Sequence, residues 1–343
     1  MSLEWTRALR QARAMSSPDT LHGVNAPAAV AAIQARAERW RRGDRSPDGR
    51  KLGLVIEGGA MRSVYSAGGA VALAQLGFSE VFDDVYATSA GVMNASYFIS
   101  NQPMIGITVY YESCTTALFM NPLRVWKVLD IDYLFDQVVR VDKPLDTAKV
   151  AASRANFFVA VINRRTGEGG LVDTKRSKSK LLDILKAATA MPVLYNRSVE
   201  VDGEPCMDGG LATPFPLLPA LANGCTDLLV LLTRPSDYRS HAPRWLNRQL
   251  FNLICARGDA RLNRLYAEHH HPANTARDLA LGRAVAPPGV NIATICTENH
   301  ASVTRTTSDA MTLYRAAADY ARKTARVFGH DGDGWNMPLP KRR

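Results

Sequence analysis

Residues 85–94 read "VYATSAGVMN", a serine set among small residues where an apolar, strand-like run gives way to a helical one. A strand that turns sharply into a helix pushes the corner side chain out above the sheet. Residues two before and two after it come so close that they must be small, so the pattern sought is G-x-S-x-G. Here Ala87-Thr88-Ser89-Ala90-Gly91 keeps the second glycine and carries alanine for the first. Ser89 is therefore a candidate nucleophile, and a helix-capping serine is the competing reading. A helix starting beyond Ser89 also aims N–H groups at any negative charge formed there.

Working outward, "LGLVIEG" (52–58) and "VFDDVYATS" (81–89) read as strands, with a small-residue helix over about 66–76 between them and another from Ala90 towards Ser100. Residues 104–129 read as an interrupted helix. "ANFFVAVINRRTGEGGLVDT" (155–174) and "VEVDGEPCMDGG" (199–210) read as hairpins, the second turning on Asp202-Gly203. "DLLVLLTR" (227–234) and "VNIATICTE" (290–298) are further apolar strands separated by helical stretches, and a helix over about 308–328 closes the chain. Strands alternating with helices predict a largely parallel sheet with helices on both faces. Residues 1–50 are expected to be a helical extension of one or two helices ended by the breaker-rich "GDRSPDGRK". Residues 51–330 are expected to be the main domain, and residues 331–343 a basic tail.

Composition narrows the function classes. The 343 residues carry a formal net charge of +10 and 46% hydrophobic residues. No apolar run reaches the roughly 18 residues a membrane-spanning helix needs. Charges in "MSLEWTRALRQARAM" stand where a secretory leader would place its apolar centre, which makes the cytoplasm the expected compartment. Cys114, Cys206, Cys225, Cys255 and Cys296 are scattered and form no C-x-x-C pair, as reduced thiols would be. The basic excess, in "RWRRGDR" (39–45), "KRSKSK" (175–180) and the terminal "KRR", suits an anionic membrane surface or is a solvated face. It is not interleaved with aromatics as in a nucleic-acid reader, so no nucleic-acid partner is expected. In the first helix Trp5, Ala8, Leu9, Ala12 and Met15 share one side and Arg7, Arg10 and Arg13 crowd another, an interfacial or a packing face.

Two more stretches carry chemistry. "IEGGAMRS" (56–63) follows the first strand, and a Gly-rich turn opening a helix presents N–H groups to a phosphate or a developing oxyanion. It lacks G-x-G-x-x-G and G-K-[ST], so the nucleotide readings fit badly. "CMDGGLATPFPLLPA" (206–220) places Asp208 at a tight turn beside the sheet, either as a cavity-facing carboxylate or as an ordinary Asp-Gly turn.

Together the three stretches resemble the patatin-like phospholipases, serine lipid acyl hydrolases with a Ser-Asp dyad, over roughly residues 52–235. The family's G-G-G-x-R-G resembles "GGAMRS", its G-x-S-x-G resembles "ATSAG", and its D-G-[GA] is met by Asp208, Gly209 and Gly210. The resemblance implies a three-layer α/β/α fold with a largely parallel central sheet and hydrolysis of lipid acyl esters without cofactor or metal. It implies Ser89 as nucleophile and Asp208 as base, an oxyanion hole of Gly58, Gly59, Ala60 and Met61, and supporting roles for Arg62, Gly91 and Gly209. Arg62 is read as bracing the loop in preference to facing a substrate phosphate. Asp208 needs burial to raise its basicity, so the site should be largely dry. Three positions depart from the pattern: Ala60, Ser63 and Ala87 stand where the family has glycine. Where φ must be positive, alanine for glycine costs on the order of 1 kcal/mol.

Two other readings stay open. An α/β-hydrolase triad would need a histidine after Asp208, and His241, His269 to His271, His300 and His330 lie there. A lipid-binding protein of impaired catalysis would suit the lost glycines and the basic charge. The triple histidine as a metal site, and "HDGDGWN" (330–336) as a calcium loop, are weaker, because consecutive helical residues diverge and the loop lacks its closing Glu.

Overall fold

The computed structural model describes residues 21–124, 127–195, 197–297, 303–331 and 337–341. The helix expected within residues 1–20, His300, most of "HDGDGWN" and the last two arginines lie outside them. The strands are β1 (Leu21–Val24), β2 (Leu52–Ile56), β3 (Asp84–Thr88), β4 (Asn156–Asn163), β5 (Gly169–Asp173), β6 (Val199–Val201), β7 (Glu204–Asp208), β8 (Asp227–Leu231) and β9 (Asn291–Ile295). They form one sheet in the order β1-β9-β8-β2-β3-β4-β7-β6, with β5 also on β4. Strands β9, β8, β2, β3 and β4 run parallel. Strands β1, β5, β7 and β6 join antiparallel.

The sequence dictates this layering. β2 ("LGLVI") and β8 ("DLLVL") are buried along their whole length, as parallel strands covered on both faces must be. Their side chains alternate between two covers. The principal helices are α1 (Ala26–Arg41), α2 (Val64–Gln75), α3 (Gly91–Ile99), α4 (Leu181–Thr189), α5 (Leu217–Ala222), α6 (Trp245–Phe251), α7 (His270–Ala280) and α8 (Ala310–Val327). Leu52, Leu54 and Ile56 pack in one core with residues of α1, α2, α3, α4 and α8. Val55, Leu228 and Val230 pack in a second with residues of α5 and α7. The fold is thus a three-layer α/β/α sandwich.

Two stretches differ from the sequence reading. Leu21–Val24, expected to be helical, is a strand paired with β9 from Leu21↔Ile295 to Val24↔Ile292, covering an edge that would otherwise expose unpaired backbone groups. Four residues are too few to show an alternation. Tyr133–Asp142, where no element was read, is a wide π-helical segment. The breaker-rich residues 43–51 are pinned to the domain: buried Arg36 on α1 donates to both carboxylate oxygens of Asp48 (2.9 and 2.7 Å) and to the carbonyls of Arg50 (2.8 Å) and Val81 (3.0 Å). All five cysteines are buried free thiols.

Candidate active site

Strand register brings the two candidate residues together. Thr88, the last residue of β3, lies opposite Ala160 of β4, and Asp208, the last residue of β7, lies opposite Val161. β3 runs parallel to β4 and β7 antiparallel to it, so they approach end to end along one edge of β4. The residue after β3 and the last residue of β7 therefore meet. Ser89 Oγ donates to Asp208 Oδ2 at 2.6 Å, and both side chains are buried. Gly209 makes the approach possible, because a Cβ there would stand 2.5 Å from the Ala160 carbonyl.

Ser89 sits at φ +53, a left-handed conformation that a non-glycine residue holds only when its surroundings enforce it. β3 ends at Thr88 and α3 starts at Gly91, so the serine is the corner residue. Thr88 Oγ1 donates to the Thr213 carbonyl (2.9 Å), tying the corner to the chain beyond Asp208. Tyr110 OH lies 2.9 Å from Asn94 Oδ1 and 3.3 Å from the Ala90 carbonyl, while Asn94 Nδ2 donates to the Ser63 carbonyl (2.8 Å). The Ser89 side chain caps no helix; its hydroxyl is given to Asp208 instead.

Asp208 meets both of its sequence readings at once. Oδ1 accepts the Gly210 N–H (2.8 Å) and closes the turn, while Oδ2 faces Ser89. Burial pushes its carboxyl up to about 6, against the opposing pull of the Ser89 hydroxyl, the Gly210 N–H and the charge of Arg305. Such a carboxylate is a stronger base than an exposed one and is still largely ionised at neutral pH.

The segment after β2 wraps over this pair. Gly59 has φ 154 and Ala60 φ 52, and the N–H groups of Gly58, Gly59 and Ala60 find no acceptor among the described residues. The Met61 N–H donates to the Arg305 carbonyl at 3.4 Å, which removes it from the expected donor set. Gly58 can be nothing larger, since a Cβ would lie 2.4 Å from the Thr88 carbonyl; at Gly91 one would lie 2.9 Å from the Ile56 carbonyl. Ala60 holds a left-handed backbone, and Ala87 lies in regular strand, fully buried, where glycine is not needed. Ser63 is fully buried, and its carbonyl is the acceptor of the Asn94 amide. The Arg62 side chain lies beside Gly59, and its Nε is buried with no hydrogen-bond partner among the described residues.

Two hollows meet at Ser89. One is narrow and apolar, walled by Met93, Val109, Phe119, Leu129, Leu134 and Met191. The other is a wide polar cleft reaching Glu57, Arg62, Asp208, Arg234, Arg277 and Arg305. His241 and His269 also line the cleft, yet among the described residues no histidine hydrogen-bonds Ser89 or Asp208; His269 Nδ1 meets the Tyr266 carbonyl (2.7 Å) and its ring stacks on Tyr266. The sequence reading did not single out Arg234, Arg277, Arg305, Asn94 or Tyr110. They stand outside any local motif and reach the site only through tertiary packing.

Comparison with known proteins follows this geometry. A family model, patatin-like phospholipase, matches residues 54–221. The uncharacterized protein YjjU of Escherichia coli (strain K12) is 29% identical over 235 residues, 67% of this chain and 63% of that protein. Patatin-like phospholipase domain-containing protein 4 of Homo sapiens is 27% identical over 168 residues, 46% of this chain and 63% of that protein. The match therefore spans somewhat less than two thirds of the length of either relative. VipD from Legionella pneumophila is similar at a TM-score of 0.45 and 13% identity, over 83% of this chain and 67% of that one.

The two small-residue positions around Ser89 should differ in how exchange affects the rate. Gly58→Ala must displace the Thr88 carbonyl, so we expect about 1–3 kcal/mol of lost stability and roughly a 10²-fold slower ester hydrolysis. Ala87→Gly should cost about 1 kcal/mol in denaturant unfolding with no gain in rate. A faster Ala87→Gly enzyme would show that the strand methyl strains the corner.

Proposed function

Because the chain belongs to the patatin-like phospholipase family, we propose that it is a serine lipid acyl hydrolase, cleaving carboxylic ester bonds of phospholipids or related lipids through Ser89 and Asp208. The observation that carries this reading is the buried 2.6 Å hydrogen bond between the Ser89 hydroxyl and a carboxylate of raised basicity. In this reading residues 51–330, with the strand and helix of residues 21–41, make up the catalytic unit.

The chemistry uses groups of the chain and water. Asp208 takes the proton as Ser89 Oγ attacks the ester carbonyl, and the N–H groups of Gly58, Gly59 and Ala60 hold the oxyanion. Collapse expels the alcohol, which takes the proton from Asp208 and leaves an acyl-Ser89 ester. Water then attacks that ester with Asp208 again as base, and the fatty acid departs. The acyl chain lies in the apolar hollow and the alcohol part in the polar cleft. Metal-free proton transfer within a dyad explains why neither histidine lining the cleft needs to reach Asp208.

The same reading places a lipid surface at the cleft rim. On α6 and the π-helical segment that continues it (Asn252–Ala256), Trp245, Leu246 and Leu253 are 71%, 68% and 76% exposed, while Leu250 and Phe251 line the cleft. Exposed Arg244, Arg248 and Arg257 flank them. An apolar ridge with basic flanks at the mouth of a lipid-cleaving site fits an anionic membrane surface.

Ser89→Ala and Asp208→Asn should each lower hydrolysis of a p-nitrophenyl acyl ester by about 10³-fold or more, while alanine at His241 or His269 leaves most of it. Equal damage from a histidine exchange, with folding intact, would put a triad in place of the dyad. Since the base must be ionised, kcat/KM should fall with one proton as pH drops through about 6, the value for Asp208, and stay level above it; a limb near pH 4 would contradict a desolvated base.

Replacing Trp245 and Leu246 together by serine should weaken sedimentation with anionic vesicles by about tenfold or more, well beyond its effect on a soluble ester. Unaltered vesicle binding would remove this ridge from the lipid contact.

A further inference from the structure

The polar cleft beside Ser89 carries more positive charge than its own carboxylates can neutralise. Among the described residues four arginines line it, Arg62, Arg234, Arg277 and Arg305, against two acids, Glu57 and Asp208. Both acids are engaged. Glu57 Oε2 accepts the Thr233 N–H (2.5 Å) and its Oε1 lies 3.8 Å from Arg277, while Asp208 serves Ser89 and Gly210. Arg277 in turn donates to the carbonyls of Arg234 and Pro235, so it is built into the wall.

That leaves Arg62, Arg234 and Arg305. None of the three forms an ion pair, and none donates a side-chain hydrogen bond, among the described residues, and the Arg62 Nε is buried without a partner. Arg234 rests its guanidinium 3.8 Å over the Tyr238 ring, a face that tolerates a cation but does not neutralise it. Burial, and then the charges of Arg234 and Arg305, bring Arg62 down to about 9; burial with the charges of Arg305 and Arg277 also holds Arg234 below its ordinary value. The charge of Glu57 offsets part of this at Arg62 and Arg234, and cations left in excess in a partly buried cleft are stabilised by an anion that enters it.

We propose that Arg62, Arg234 and Arg305 form a subsite for the phosphate of the substrate's head group, so that anionic phosphate-bearing lipids are preferred over neutral glycerides and over zwitterionic choline lipids. The inference rests on the lipid-ester reading above and names its substrate class. A phosphate offers a planar guanidinium paired acceptors on each side, whereas a choline ammonium would enter the cleft and find both carboxylates already occupied. With the acyl chain in the apolar hollow and the phosphate on the arginines, the scissile ester between them is carried to Ser89.

Direct binding to the Ser89→Ala protein tests this without depending on turnover. Short-chain dihexanoyl phosphatidate, the matching phosphatidylcholine, the matching diacylglycerol and inorganic phosphate are titrated calorimetrically below their aggregation thresholds. Phosphatidate should bind about tenfold or more tighter than the choline lipid and the diacylglycerol. Arg234→Gln or the exposed Arg305→Gln, added to Ser89→Ala, should collapse that ratio by about tenfold. Equal affinity for the three lipids, or variants that weaken all three alike, would overturn the subsite. Inorganic phosphate binding as tightly as phosphatidate would overturn its assignment to a lipid head group. A wild-type protein that cleaves no ester, in a cleft that still shows the phosphatidate preference, would sink the hydrolase reading and leave the subsite standing.

Discussion

The meeting of β3 and β7 along one edge of β4 is the constraint on which the site depends. Two strands of opposite direction end on consecutive residues, Ala160 and Val161, and that register alone puts the Ser89 hydroxyl on the Asp208 carboxylate. Everything near it serves this contact. Gly209 allows the backbones to touch, Gly58 lets the loop after β2 lie on Thr88, and the Tyr110–Asn94–Ser63 hydrogen bonds tie the corner to the start of α2. A buried carboxylate is costly unless hydrogen-bonded, and here the Ser89 hydroxyl and the Gly210 N–H supply both bonds while burial keeps its basicity high. The cost of burial and the chemistry proposed for the site have the same physical origin.

Much of the scaffold was legible because its elements are locally self-consistent. β2 and β8 are unbroken apolar runs, and Asp202-Gly203 takes positive φ at both residues, as a tight hairpin turn demands. Ser89 and Asp208 stood out because each sits in a small-residue pattern at a strand end. What local patterns cannot carry is register: nothing near residue 89 specifies that Thr88 faces Ala160. β1 was too short to show periodicity. Tyr133–Asp142 carries its buried apolar residues Leu134, Phe135, Val138 and Val139 at ordinary helical spacing, a pattern the sequence reading passed over between two interrupted stretches. The four arginines of the cleft come from four separated parts of the chain, which no local pattern joins.

Glycine losses in the motifs turn out to have different meanings. At Ala60, the first residue of a short helical turn, the backbone is left-handed and alanine occupies it with φ 52. At Ala87 the backbone is ordinary strand, so the missing glycine has no conformational consequence. Motif positions that look equivalent in sequence are thus distinguished by their dihedral angles. The departures from the pattern leave the Ser89–Asp208 contact and the three unengaged N–H groups in place.

The central claim, that Ser89 is a nucleophile activated by Asp208 alone, is tested most directly by covalent capture. A fluorophosphonate reacts with an activated serine to form a stable phosphonyl ester, and intact-mass analysis followed by peptide mapping locates the adduct. The account requires one adduct per chain, on Ser89, absent in Ser89→Ala and formed far more slowly in Asp208→Asn. An unlabelled Ser89, or labelling at Ser89 that proceeds as fast without the Asp208 carboxylate, would contradict it.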